Sequence, residues 1–149
     1  RNKKILQNIL KTVILNKNNS SGAVGMYFVG KINREIYSCI TQDIVTDEVV
    51  ITDKQIQHIF GRHPEAYAEV IKRLQEAVEN PDYILRDKHD ASGLLIKTLQ
   101  IKESHIQIVL RICTSKDVPG YKNSIISCWK ISDSRLRNYL RNKDILYKK

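Results

Sequence analysis

The run His58-Ile59-Phe60-Gly61-Arg62-His63-Pro64-Glu65 gathers two imidazoles and a guanidinium around a glycine, and a proline follows at once. Histidine has an unperturbed pKa of about 6.5, so it can both give and take a proton near neutrality. An acid, a base and a fixed cation are what attack on a phosphodiester requires.

Whether these groups converge depends on the elements that carry them. In one unbroken helix the two histidines, five residues apart, would point about 140° away from each other. Gly61 instead supplies a helix stop, and Pro64 suits the first position of a new helix. A residue before proline is extended. His63 therefore falls at the start of the second helix, where unsatisfied N–H groups form an anion site, with Arg62 beside it. Two readings stand: His63 is an N-cap and His58 a core-edge histidine, or the pair is an acid and a base beside a bound phosphate. Metal ligation is not favoured. The two-histidine pattern of zinc proteases is absent, and no carboxylate or cysteine completes a ligand set. No cofactor is expected.

The periodicity predicts the scaffold. Ile5, Leu6, Ile9, Leu10, Val13 and Ile14 predict an amphipathic helix over 2–15, followed by a linker to Gly22. Residues 24–29 and 49–52 read as short strands, and 33–41 as a short helix or a strand. Thr52 or Asp53 can cap a helix through Ile56 and Ile59. The helix opened by Pro64 carries Tyr67, Val70, Ile71, Leu74 and Val78 on one face and ends at Asn80-Pro81-Asp82. The period then becomes alternating, predicting strands at 83–86, 94–101, 106–113 and 124–131. Ser132 or Asp133 caps a closing helix with Leu136 and Leu140 inward. This is an α+β pattern: N-terminal helices packed on a four-stranded antiparallel sheet, with a C-terminal helix. Residues 1–22 form an arm and 23–149 one domain.

Along the third of those strands, Ile106, Ile108, Leu110 and Ile112 share one face. His105, Gln107, Val109 and Arg111 share the other, predicted to be wet. Lys97 interrupts an apolar strand, either at an edge or solvent-facing position or as a working cation. Ser127 interrupts another, either bonded to backbone or facing a site. The three cysteines have no CxxC spacing and read as core residues.

The formal net charge is +9, unevenly distributed. Residues 1–35 carry seven basic and one acidic side chain, residues 36–90 six and eleven, and residues 91–149 twelve and four. Basic ends around an acidic middle point to nucleic acid, an anionic membrane or an acidic protein as partner. No run reaches the roughly 18 apolar residues of a membrane span. The sequence begins with Arg rather than Met, so an excised domain of a larger protein is expected.

Glu48-Val-Val-Ile-Thr52, His58-Ile59, Arg62-His63-Pro64-Glu65, Asn80-Pro-Asp82 and the closing Ile145-Leu-Tyr147-Lys148 resemble the phage-associated nuclease domains grouped with barnase, EndoU, the tRNA-cleaving colicins and RelE-type toxins. The resemblance covers about residues 30–149. It implies an active site on the open face of the sheet and metal-independent cleavage of RNA, with tRNA favoured. It also implies a toxin role, restrained by an acidic immunity or antitoxin protein. The site of action would be the bacterial cytoplasm, reached by secretion or delivery of a larger protein or from a prophage. His58 and His63 match the family's paired histidines and would serve as base and acid. Lys97 and Arg111 fall on strands where such nucleases place cations and would stabilise the transition state. Ser127, which matches a Ser/Thr position of the last strand, would position phosphate or base together with Arg62, Lys130 and Tyr83. The alternative is a noncatalytic nucleic-acid-binding module using the basic C-terminal third. A third reading is an interaction domain whose basic surface binds an acidic partner.

Overall fold

The computed structural model describes residues 4, 25–61, 68–99 and 104–149. Among these, seven strands and four helices succeed one another. The first half holds β1 (Met26–Lys31), α1 (Arg34–Tyr37), β2 (Glu48–Thr52), α2 (Asp53–Phe60) and α3 (Ala68–Glu79). The second half holds β3 (Tyr83–Arg86), β4 (Ser92–Thr98), β5 (Ser104–Arg111), β6 (Asn123–Ser132), α4 (Asp133–Asn142) and β7 (Ile145–Lys148). The strands form one sheet in the order β1-β2-β6-β5-β4-β3-β7. Every join is antiparallel except β2–β6, which is parallel.

This corrects the expected architecture of N-terminal helices on a four-stranded antiparallel sheet with a closing helix. The expected four strands are present as the β3–β6 meander, but β1 and β2 extend the sheet at one end and β7 at the other. The described helices are interspersed among the strands rather than gathered before them, and a strand, not a helix, comes last. The added strands are short, and their partners lie far away in sequence, so no local period announces the pairing. The parallel join rests on two register pairs, Val49↔Asn123 and Val50↔Ser124. Asn123 holds it from within. Its fully buried amide donates to the Thr46 carbonyl at 2.8 Å and accepts from the Cys113 N–H at 2.8 Å. β7 adds to β3 through Ile84↔Tyr147 and Leu85↔Ile145.

Helix starts follow their side chains. The Thr52 hydroxyl accepts from the Gln55 N–H and the Ser132 hydroxyl from the Arg135 N–H, satisfying donors that a helix cannot satisfy itself. Gly61 does cap α2, but in right-handed geometry. Its lack of a Cβ matters through space rather than backbone freedom, because a Cβ would stand 2.4 Å from the Gln57 carbonyl oxygen.

The two faces of the sheet are covered unequally. On one, Ile84, Leu95, Ile106, Ile108, Leu110 and Ile125 pack under Tyr37 of α1, Ile56 and Phe60 of α2, and Val70, Ile71, Leu74 and Val78 of α3. Each such buried side chain stabilises the fold by roughly 1.5–3 kcal/mol. The Tyr37 hydroxyl donates to the Val78 carbonyl at 2.6 Å, joining α1 to the end of α3, and burial pushes its pKa up. On the other face Leu85, Leu94, Ile96 and Ile131 pack under Leu136 of α4, with Tyr139 and Leu140 partly buried beside them. One helix cannot cover a sheet of this width, and the remainder of that face stays open as a cleft. Cys113 and Cys128 are buried and Cys39 half-buried, all as free thiols, in line with their reading as core residues.

The expected helix over 2–15 and the 1–22 arm lie, apart from residue 4, outside the described residues. So do Arg62, His63 and Pro64.

Candidate active-site cleft

The cleft beside α4 measures about 400 Å³. Its floor is made by Leu94 of β4, Gln107 and Val109 of β5, and Ser127 and Trp129 of β6. These residues share one face because the register places Gln107 opposite Trp129 and Val109 opposite Ser127. A bulge follows at once, since Leu110 pairs with Ile125 and leaves Ile126 as the extra residue. Bulges re-aim side chains beside functional sites. Here Ile126 also lines the cleft, 38% exposed.

The walls come from Asp87, Lys88 and His89 in the β3–β4 loop and from Tyr139 and Lys143 at the end of α4. The loop turns through an Asp87 carboxylate that accepts from the His89 N–H at 3.4 Å. Two cations flank the Tyr139 ring, with Lys143 Nζ 5.2 Å and Arg135 Cζ 5.7 Å from its centre. Such contacts hold the ring and the cations in place together. A largely apolar floor with two polar side chains, an aromatic surface and a rim bearing Lys88, His89 and Lys143 suits a base and its phosphate.

Gln107 is the unusual residue of the floor. It is 2% exposed, and its side-chain oxygen has no hydrogen-bond partner among the described residues. Leaving a buried acceptor unpaired costs on the order of 1–3 kcal/mol.

The face expected to be wet is thus largely buried at its centre, because α4 lies on it. His105 is 5% exposed. Its Nε2 faces Asp133 Oδ1 at 3.0 Å and its Nδ1 the Thr98 hydroxyl at 3.1 Å. The Asp133 carboxylate can only accept, so Nε2 carries a proton.

Of the residues singled out from sequence, Ser127 lies in the cleft. Tyr83 packs on the same face with the smaller cluster, outside the cleft lining. Arg111 donates to Asp117, and this bond and the Thr114 N–H hold the Asp117 carboxyl below the usual carboxylate range. Lys130 is exposed on β6, in register with Ile106. Lys97 is buried on the opposite face, donating to the Asn80 carbonyl at 2.8 Å with Glu76 and Asp82 each 3.6 Å away. It is neither at an edge nor solvent-facing. His58 stands exposed on α2, whose Ile56 and Phe60 pack on the face away from the cleft. Gln107, Trp129, His89, Lys88, Tyr139 and Lys143 had no assigned role. Strand alternation could have grouped Gln107 with Ser127 and Trp129. The loop histidine and the α4 residues carry no local signal.

Residues 28–148 match the family described as phage-Barnase-EndoU-ColicinE5/D-RelE like nuclease 2. The chain belongs to this nuclease family. The match runs from within β1 to the end of β7 and contains every residue of the cleft. The search of curated proteins and the search of solved structures each found no match. Among the described residues of this nuclease, no helix is long and apolar enough to cross a membrane.

Proposed function

We propose that this nuclease is a metal-independent endoribonuclease, with tRNA the favoured substrate, and that the cleft beside α4 is where it acts. The observation that carries this reading is a floor of Ser127, Trp129 and Gln107 beneath a rim of Lys88, His89 and Lys143, in a chain of this nuclease family.

In the proposed reaction the ribose 2′-OH attacks the adjacent phosphorus and the 5′-oxygen leaves, giving a 2′,3′-cyclic phosphate and a 5′-OH end. His89 on the rim takes the proton from the 2′-OH and returns it to the departing 5′-oxygen, so that the proton balances. Lys88 and Lys143 hold the charge that develops on phosphorus, and the Ser127 hydroxyl orients the phosphate. His58 and His63, which match the family's paired histidines, are the second candidates for acid and base, with Arg62 beside His63 in sequence. Action in the bacterial cytoplasm as a toxin, restrained by an acidic immunity protein over the basic surface, completes the reading.

The test is incubation of total tRNA with the protein in excess EDTA, beside His89→Ala, His58→Ala and His63→Ala. The cleft reading expects chelator-resistant cleavage with cyclic phosphate ends, lowered at least about a hundredfold by His89→Ala. An equal loss in folded His63→Ala, with His89→Ala active, moves the chemistry to the α2–α3 junction. Salt-sensitive RNA binding without cleavage supports the noncatalytic module instead, for which the exposed Arg135 and Arg141 of α4 would serve.

A further inference from the structure

Gln107 and Trp129 lie on the cleft floor without a part in the proposed reaction. Gln107 sits at the centre of the sheet, between Ile96 of β4 and Trp129 of β6 in the register. Gln107 is one of the residues lining the cleft, and its side-chain oxygen, buried with the rest of the side chain, lacks a partner among the described residues. Buried acceptors in folded proteins are nearly always satisfied, and one that lines a cleft calls for a donor on whatever fills that cleft. Beside it lies the indole of Trp129, an aromatic surface on which any base can stack. Stacking alone does not distinguish bases; an acceptor at the edge of the stack does.

We propose that Gln107 determines base specificity, its amide oxygen accepting a hydrogen bond from the exocyclic amine of a nucleobase stacked on Trp129. An amine presents an N–H directly to such an acceptor. Uracil offers its N3–H only between two carbonyl oxygens, which would face the Gln107 oxygen and repel it. The nuclease therefore selects an amino-bearing base at this position. The inference rests on the cleft being the substrate site, as proposed above.

Trp129 is the only tryptophan of the chain, so its fluorescence reports on the floor directly. The full chain is titrated with three pairs of nucleoside 3′-monophosphates: adenosine and purine riboside, cytidine and pyrimidin-2-one riboside, guanosine and inosine. The two members of each pair differ by the amine. In at least one pair the amino form should bind at least about tenfold more tightly, since a site built around a hydrogen bond rejects the analogue lacking it. Gln107→Met keeps the side-chain length and removes the oxygen, and should abolish that preference while still binding. Equal affinity within all three pairs, preference retained in Gln107→Met, or no nucleotide-dependent change at Trp129 overturns the proposal. The wild-type comparison stands even if the variant does not fold. Amine-selective binding by a protein that does not cleave RNA removes the nuclease chemistry and leaves this inference standing. Cleavage without selectivity does the reverse.

Discussion

His105 Nε2 and Asp133 Oδ1 stand 3.0 Å apart, and this bond fastens the first turn of α4 to the middle of the sheet. Asp133 is also held by Arg137 at 2.6 Å, one turn further along the helix. The position of α4, and with it the Tyr139–Lys143 wall of the cleft, depends on a contact outside the cleft. Asp133→Ala leaves a buried imidazole N–H without its acceptor. The expected loss is about 1–3 kcal/mol of stability, read as a lower urea midpoint. Trp129 fluorescence should shift as α4 loosens. An unchanged midpoint would mean that α4 is held by Leu136 and its neighbours alone.

Lys97 is expected to act on stability rather than on catalysis. Its ammonium lies beneath α3, bonded to the Asn80 carbonyl and flanked by Glu76 and Asp82. Lys97→Met fills the space but leaves that carbonyl without its donor and Asp82 without its cation, while Glu76 keeps Arg73. A loss of about 1–3 kcal/mol follows, because the carboxylates keep access to water. The folded fraction should cleave RNA within a few-fold of wild type. A hundredfold loss in a stable Lys97→Met protein would return the lysine to the catalytic set.

Acid should weaken the same region. Partial burial opposes ionisation of Glu76, but the bond from Arg73 and the charge of Lys97 outweigh it and hold the carboxyl below its usual range. A carboxyl with a lowered folded-state pKa binds protons more readily when unfolded. Its contribution is complete above the unfolded value of about 4 and is lost as the pH falls through the folded value. Asp117, held down by Arg111, adds in the same direction. Urea midpoints measured from pH 7 to pH 3 should fall on the acid side, and Glu76→Gln should flatten that fall. A variant with the same acid slope as wild type would remove Glu76 from the account.

The rim lysines are expected to show themselves in salt. If Lys88 and Lys143 each neutralise one phosphate of a single-stranded RNA, each change to Ala lowers the slope of log affinity against log salt by about 0.7. Ser127→Ala should leave that slope unchanged. Identical slopes for wild type and both lysine variants would place the RNA elsewhere on the surface.

Much of the meander was legible in the sequence. Tyr83–Arg86 is the strand that alternation predicts, and Ser132 caps α4 as its position before Arg135 suggests. Thr52 likewise starts α2. Such signals are local: a hydroxyl three residues before an N–H, or side chains two apart. The strands outside the meander were not legible as members of the sheet, because Val49–Asn123 pairing and β7–β3 pairing join distant segments. Alternation placed His105 and Gln107 on the correct face but could not show that a later helix would bury them. Lys97 likewise drew attention as a charge in an apolar strand. Its partners, Glu76 and the Asn80 carbonyl, come from a helix end that only the fold brings near.

The bond between β2 and β6 has a consequence for synthesis. The first two strands join the meander only when β2, made early, meets a strand made some seventy residues later. The wall of the cleft comes later still, at Tyr139 and Lys143. Contacts this distant in sequence form slowly and late. A ribosome translating this stretch therefore carries an incomplete sheet for some time, and the cleft has no second wall until the last turn of α4 has been synthesised.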